Sequence, residues 1–350
     1  MSSTPKKHNM VLVLGGGAAR ALAHVGALSV LENEGIGAAS VVGTSMGALL
    51  GALHAAGLSA REIAAIGRGF RFPRWFVPGG LLSWNCLFSS AVPALSGVTF
   101  EQLAKPLAVV AVDLETGRQV VLDHGDVLTA VQASCAVPGV MAPVAIEGRL
   151  LVDGGVVNVL PVDLASARSP DLVLAIKVGS TQDASLPRVR NASFLTRLAR
   201  LAPNPFSARL AFDVLVRSAE IALEHQNRLA AAMVPADVLV DVDVGRAGLR
   251  DFHLFDAIVG AGAAAMETAL PALRDRLQRA SPSREMLAET GAAIDPTCDM
   301  VVSAARAKAR LDVAGTTYFF CSATCCEAFA ADPQRYARSA VGQQPRRSVP

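Results

Sequence analysis

The stretch Leu12–Leu28, LVLGGGAARALAHVGAL, sets three glycines and an arginine between a short apolar run and an apolar helical pattern. Met10–Leu14 reads as a buried strand, and a helix is expected from about Ala19 to Asn33, stopped by Gly35. A dinucleotide-binding loop of the G-x-G-x-x-G type would need glycine at position 20, where Arg20 stands. The loop nevertheless offers successive backbone N–H groups from Gly15, Gly16 and Gly17. A second glycine-flanked stretch, Val41–Leu53 (VVGTSMGALLGAL), repeats the strand–turn–helix rhythm, with Ser45 opening the second helix. Two such units in succession predict a parallel sheet covered by helices.

Outward from these units the pattern continues. Ala60–Phe70 reads as a third helix, and 107–123 (LAVVAVDLETGRQVVLD) as two strands around the turn LETG. A helix over 128–139 should end at Pro138–Gly139. The run 148–155 (GRLLVDGG) should be a strand closed by a tight turn, and Leu172–Gly179 a further buried strand. A long helical pattern from Pro205 to about Met233, the strand 236–245 and a helix from Phe255 to about Leu277 complete the large domain, residues 10–277. Residues 278–294 (QRASPSREMLAETGAAI) read as a strand-free linker. A small unit, 295–338, follows, and then a flexible basic tail, 339–350.

Composition fits this division. Of 350 residues 52% are hydrophobic and only 18% charged, with mean hydropathy +0.40, enough for a large α/β core built from Ala, Val, Leu and Gly. A net charge of +2 gives no reason to expect nucleic acid. The N-terminus does not read as a signal peptide, and the longest apolar run, Val41–Ala56, is interrupted by glycines, Thr44, Ser45 and His54. A cytoplasmic setting is therefore expected. Cys86 and Cys135 are scattered, whereas Cys298, Cys321, Cys325 and Cys326 crowd the C-terminus, which without export reads as metal binding rather than disulfides.

Gly43–Gly47 is a G-x-S-x-G at a strand-to-helix junction. A nucleophile on so sharp a turn needs Gly43 and Gly47 beside it, and the helix it opens points positive charge at an oxyanion. The plain alternative for Ser45 is a helix N-cap. An α/β-hydrolase order requires several strands before the elbow, and only one strand–helix unit precedes Ser45. His124, His225 and His253 read as surface or helix residues. Asp153 ends an apolar strand and is held by Gly154 and Gly155, although Asp-Gly is also a common turn pair. If the Gly15–Gly17 loop lies beside the elbow, its N–H groups form an oxyanion hole rather than a nucleotide cradle.

These segments, LGGGAARALAHVGALSVLENEGI, VVGTSMGALLGAL, PLAVVAVDLETG and ASCAVPGVMAPVAIEGRLLVDGGVVNVLPVDLA, resemble in order a bacterial patatin-like phospholipase over roughly residues 10–277. The resemblance implies a patatin-like three-layer α/β fold with a mainly parallel central sheet. It implies a serine–aspartate dyad without histidine: Ser45 as nucleophile, Asp153 as general base, Gly15–Gly17 as oxyanion hole. The implied reaction is hydrolysis of an acyl ester in a phospholipid, lysophospholipid or neutral lipid, with no cofactor for catalysis. The chain departs from the family pattern at Ala18 and Ala21, where glycine is usual, and at Met141 and Ala142, where Phe–Pro is usual. Arg20 fits the pattern and is read as structural, and Asp113 is explained by the turn after its strand.

Phe70–Phe88, with Arg71 and Arg74, concentrates the aromatics. It is read as a cover over the core edge; the second reading is peripheral membrane contact through Trp75 and Trp84. The stretch Arg197–Arg217 carries the same ambiguity.

In the small C-terminal unit, Cys321 and Cys325 at i and i+4 on a helix would share one face and grip one ion, and a unit this small needs a staple. Thiolates favour Zn or Cu(I). The motifs DP-x-C-x-M, YFFCS-x-x-C and F-x-x-DP-x-x-Y resemble a YHS (TRASH-like) metal-binding domain, although Asp299 stands where glycine is usual. The resemblance implies a metal-stapled α+β module with Cys298, Cys321 and Cys325 as ligands; Cys326 is a further candidate. The competing reading of the whole chain is a metal-responsive scaffold that binds lipid or a partner without hydrolysing it.

Overall fold

The structure is a computed structural model that describes residues 9–72, 82–168, 170–180, 236–280, 292–297, 301–304, 307–313, 316–333 and 344–345, with isolated residues between 218 and 226. Two compact units emerge, Asn9–Arg276 and the chain from Leu277 onward.

In the larger unit β1 (Met10–Leu14) leads into a 3-10 turn, Ala18–Leu22, and then α1 (Ala23–Asn33). The expected helix from Ala19 thus begins as a tighter turn, in which the Arg20 N–H donates three residues back to the Gly17 carbonyl at 3.0 Å while the Ala19 N–H donates to the Leu249 carbonyl at 3.1 Å. After β2 (Ser40–Thr44) come α2 (Met46–Ala55), α3 (Ala60–Gly67), β3 (Leu107–Asp113), β4 (Gln119–Leu122) and α4 (Val127–Ser134). A short strand β5 (Val144–Ile146), which the sequence did not announce, pairs with β6 (Arg149–Asp153); β7 (Leu172–Gly179) and β8 (Val238–Asp243) follow. The expected helix over 205–233 and the stretch 197–217 lie largely outside the described residues.

The strands form one sheet in the order β5-β6-β3-β2-β1-β7-β8, with β4 also on β3. The pairs β2–β3, β1–β2, β1–β7 and β7–β8 are parallel, so the sheet is mainly parallel, as read from the sequence. All of β1, β3 and β7 is buried, the expected state of strands covered on both faces, and so is all of α2. The helix α5 (Phe255–Ala280) is long and apolar enough, by length and composition alone, to cross a membrane. Its buried residues Phe255, Ile258, Met266, Leu270 and Leu273 recur at helical spacing, the stripe of a helix packed on a core.

One register positions the site. Along β3, β2 ends with Thr44 opposite Val110, and β6, running the other way, ends with Asp153 opposite Ala111. Val109–Val112 also pair with β4. Since a residue has only two sheet edges, β4 takes one and β2 and β6 share the other. The carboxyl ends of β2 and β6 therefore meet head to head.

In the smaller unit β9 (Ala292–Ile294) pairs antiparallel with β10 (Val301–Ser303), and β11 (Ala309–Val313) with β12 (Thr316–Phe320), followed by α6 (Ala323–Ala331). The expectation of a strand-free linker over 278–294 is corrected at both ends. The helix α5 runs on to Ala280, and Ala292–Ile294 gains a ladder partner that local composition does not reveal.

Candidate active site

Ser45 is the residue between β2 and α2, and its backbone sits at φ 56°, ψ −130°. Such a conformation in a non-glycine residue costs on the order of 1–3 kcal/mol and persists only where the surroundings hold it. Its glycine neighbours show what holds it. A Cβ on Gly47 would lie 2.3 Å from the Leu14 carbonyl oxygen, and one on Gly43 2.7 Å from Ala48 Cα, so α2 starts pressed against the end of β1. The Ser45 hydroxyl does not cap α2, which excludes the N-cap alternative. It donates instead to Asp153 Oδ2 at 2.6 Å, and both residues are buried.

The other oxygen of Asp153, Oδ1, accepts the N–H of Gly155 at 2.7 Å. Burial outweighs these hydrogen bonds and pushes the carboxyl up to about 6. A base near neutrality suits proton transfer at neutral pH. The Ser45 N–H donates to Ser134 Oγ at 2.8 Å, and Ser134 donates in turn to the Val110 carbonyl at 2.6 Å, tying the elbow to β3. Beside it Cys135 is buried, and burial first, then the Asp153 charge, drives its thiol well above the usual range. It stays protonated and does not compete as a nucleophile. Ser134 carried no sequence signal; its role depends on α4 reaching back over β3.

The glycine loop does lie beside the elbow: a Cβ on Gly16 would fall 3.2 Å from Ser45 Cβ. Two of the three expected oxyanion donors are nevertheless corrected. The N–H of Gly15 donates to the Ile176 carbonyl at 3.1 Å and that of Gly16 to the Val159 carbonyl at 2.8 Å. Both are already engaged, Gly15 by continuing the β1–β7 ladder. The next N–H groups, of Gly17 and Ala18, have no acceptor among the described residues. Ala18 stands at φ 47°, the left-handed region, where glycine would be unstrained. His24, fully buried on α1, donates from Nε2 to the Gly15 carbonyl at 2.8 Å; burial lowers it to about 4, so the ring is neutral. The sequence reading passed over His24, because a histidine on an apolar helix face carries no local mark of its target.

Arg20 is buried with Nε donating to the Ala247 carbonyl at 2.8 Å, a structural position. Asp113 accepts the N–H groups of Glu115 and Thr116, the turn that explained it. His124 and His253 are exposed, paired with Asp123 and Glu147 and with Asp251 respectively. His225 is also exposed. Phe70, Trp84 and Phe88 are buried, with Phe70 edge-on to Phe88 at a centroid distance of 5.1 Å and Trp84 tilted against Phe88 at 4.7 Å. These aromatics cover the core edge, with Trp84 buried among them. Arg74 and Trp75 lie outside the described residues.

In the smaller unit Cys321 and Cys325 meet, Sγ to Sγ 3.7 Å. They do not share a helix as expected. Ser322 caps α6 by accepting the Cys325 N–H, so Cys321 stays in the turn after β12. Asp295, which the sequence reading did not select, joins them, the three ligand atoms lying within 4.8 Å of one another. Cys326 is outside this group, and Cys298 lies outside the described residues.

A serine on a strained strand-to-helix elbow, hydrogen-bonded directly to a buried aspartate on an α/β sheet, is an arrangement suited to acyl transfer through a serine ester. Residues 12–166 match the family described as patatin-like phospholipase, and 293–340 match the YHS domain. The patatin-like phospholipase match is thus confined to residues 12–166 and the YHS match to residues 293–340. It is 32% identical over 232 residues to an uncharacterized NTE family protein of Mycobacterium tuberculosis, covering 62% of each chain. It is 29% identical over 281 residues to lysophospholipase NTE1 of Pyricularia oryzae, covering 72% of this chain and 18% of that protein. The match thus spans less than two thirds of these relatives' length. Among solved structures VipD of Legionella pneumophila aligns at TM-score 0.46 and 15% identity, over 77% of this chain and 68% of that chain.

Proposed function

We propose that residues 10–277 form a lipid acyl hydrolase of phospholipase A or lysophospholipase type, working through a Ser45 acyl-enzyme. The observation that carries this reading is the 2.6 Å hydrogen bond from Ser45 Oγ to Asp153 on a positive-φ elbow. Ser45 Oγ attacks the acyl carbonyl carbon while its proton passes to Asp153 Oδ2. The tetrahedral oxygen turns toward the N–H groups of Gly17 and Ala18, beside the amino end of α2. Collapse expels the alcohol, which takes the proton back from Asp153. Water, deprotonated by the same carboxylate, then attacks the serine ester and releases the fatty acid. No cofactor enters these steps.

A lipid substrate agrees with the surface near the site. Val156 and Val157, just past the Asp153 turn, are about half exposed, as is Leu114 at the end of β3. The NTE1 relative is named a lysophospholipase, which supports the same substrate class. The C-terminal module, residues 295–338, is read as a metal-binding unit for Zn or Cu(I), and the setting as cytoplasmic.

The test is fatty acid release from mixed phospholipids and lysophospholipids by wild type, Ser45→Ala and Asp153→Asn. Release by wild type alone supports the proposal. Silence from all three, on a short activated ester as well, returns the chain to a lipid- or partner-binding scaffold.

A further inference from the structure

We infer that Asp295 is a ligand of the C-terminal metal site, adding a carboxylate oxygen to its cysteine thiolates so that the site favours Zn2+ over Cu+. This rests on the reading of the module as a metal-binding unit and deepens it by naming a ligand and the class of ion. Three observations carry it. Asp295 is fully buried and has no cationic side chain paired with it among the described residues. A buried carboxylate is costly unless it is hydrogen-bonded or coordinates a cation.

Second, its hydrogen bonds hold the site together while leaving it able to bind. Oδ2 accepts the Cys321 N–H at 2.7 Å and Oδ1 the Thr297 N–H at 2.9 Å. A carboxylate has about four lone-pair positions, so each oxygen keeps one. Thr297 Oγ1 donates to the Cys325 carbonyl at 2.8 Å, which fastens the second cysteine to the same turn. Asp295 thus stands against both cysteines.

Third, the spacing fits the ion. Zn–S bonds of about 2.3 Å at a tetrahedral angle put two sulfurs about 3.8 Å apart. Cys321 and Cys325 lie 3.7 Å apart, and an Asp295 oxygen lies within 4.8 Å of both. Zinc accepts carboxylate oxygen alongside thiolate, whereas soft Cu+ gains little from it.

The experiment uses the purified full-length protein, reduced and metal-free. Zn2+ affinity is measured by competition with a chromophoric chelator and Cu+ affinity by competition with a copper(I) chelator. Co2+ serves as a spectroscopic stand-in for zinc. Wild type is compared with Asp295→Asn, close in shape but uncharged, with Asp295→Glu, and with Cys321→Ser; circular dichroism reports folding. The expected result is a loss of about tenfold or more in Zn2+ affinity for Asp295→Asn. Cu+ affinity should stay within about twofold, and the Co2+ visible bands should shift while the thiolate charge-transfer band keeps its intensity. Asp295→Glu should recover part of the zinc affinity. Equal losses for both metals, or a parallel loss of the thiolate band, would mean that Asp295 only holds Cys321 in place and would overturn the inference. Unchanged zinc affinity in Asp295→Asn overturns it as well. If wild type binds neither metal, the reading of the module fails together with it. If Cys321→Ser alone loses zinc, the module stands and Asp295 is no ligand.

Discussion

Ser45 Oγ and Asp153 Oδ2 lie 2.6 Å apart although 108 residues separate them in the chain. They meet because β2 and β6 end at consecutive positions, Val110 and Ala111, on one edge of β3. The hydroxyl donates its proton to Asp153. Ser45→Ala and Asp153→Asn should therefore each lower kcat for ester hydrolysis by about 10^3-fold or more. A fluorophosphonate should label wild type and fail to label Ser45→Ala. Rapid labelling of Asp153→Asn at the wild-type rate would remove Asp153 from the role of base.

The general base must be ionised to accept the Ser45 proton, and burial places its folded-state pKa at about 6. Activity should rise with pH through about 6 and fall tenfold per pH unit well below it. A kcat/KM profile from pH 4.5 to 8 reads this directly. A limb near 4, the ordinary carboxylate range, would show that Asp153 is not desolvated as found.

Ser134 bridges the Ser45 N–H and the Val110 carbonyl. Replacing it by alanine leaves two buried groups without partners, at a cost of about 1–3 kcal/mol each. Ser134→Ala should lower the denaturation midpoint and reduce kcat more than it changes KM, since the elbow loses an anchor but the acyl surface is untouched. Wild-type kcat in a destabilised variant would separate folding from positioning.

Gly47→Ala would place a methyl group 2.3 Å from a backbone oxygen of β1, which cannot swing aside as a side chain does. The variant should lose more than about 3 kcal/mol or fail to fold. Chemical denaturation measures it, with Gly37→Ala as a control, because no atom lies within 4 Å of a Cβ there and its φ is not in the left-handed region.

His24 and His54 are both buried and lowered to about 4, His24 by burial and His54 by burial and then the charge of Lys105. Between about 4 and 6.5 the unfolded chain binds more protons at these rings, so stability falls as pH drops through that window, by about 3 kcal/mol per ring. Asp153, raised to about 6, acts in the opposite direction, because the folded state holds its proton more tightly. With two groups against one, the net slope is a loss toward acid. Urea unfolding at pH 7 and 4.5 should show it, and His54→Gln should flatten it.

Local signals announced most of the sheet. Met10–Leu14 is an unbroken apolar run, Leu107–Asp113 is apolar up to its last residue and Leu172–Gly179 is broken only by Lys177, and such runs form strands wherever both faces are covered. The three-residue strands Val144–Ile146 and Ala292–Ile294 were not legible, because so short a segment takes its conformation from its partner.

The sequence by itself determined the elbow, since only glycine fits beside Ser45. It also determined the candidate nucleophile, the aspartate at a strand end and the clustered cysteines. The tertiary structure alone decided which N–H groups of the glycine loop are engaged, that Ser134 and His24 brace the site, and that Asp295 stands against Cys321 and Cys325. The physical reason is the range of the interactions. Apolar periodicity and turn sterics act between residues a few positions apart, whereas a hydrogen-bond partner is chosen by whichever segment the sheet register brings alongside.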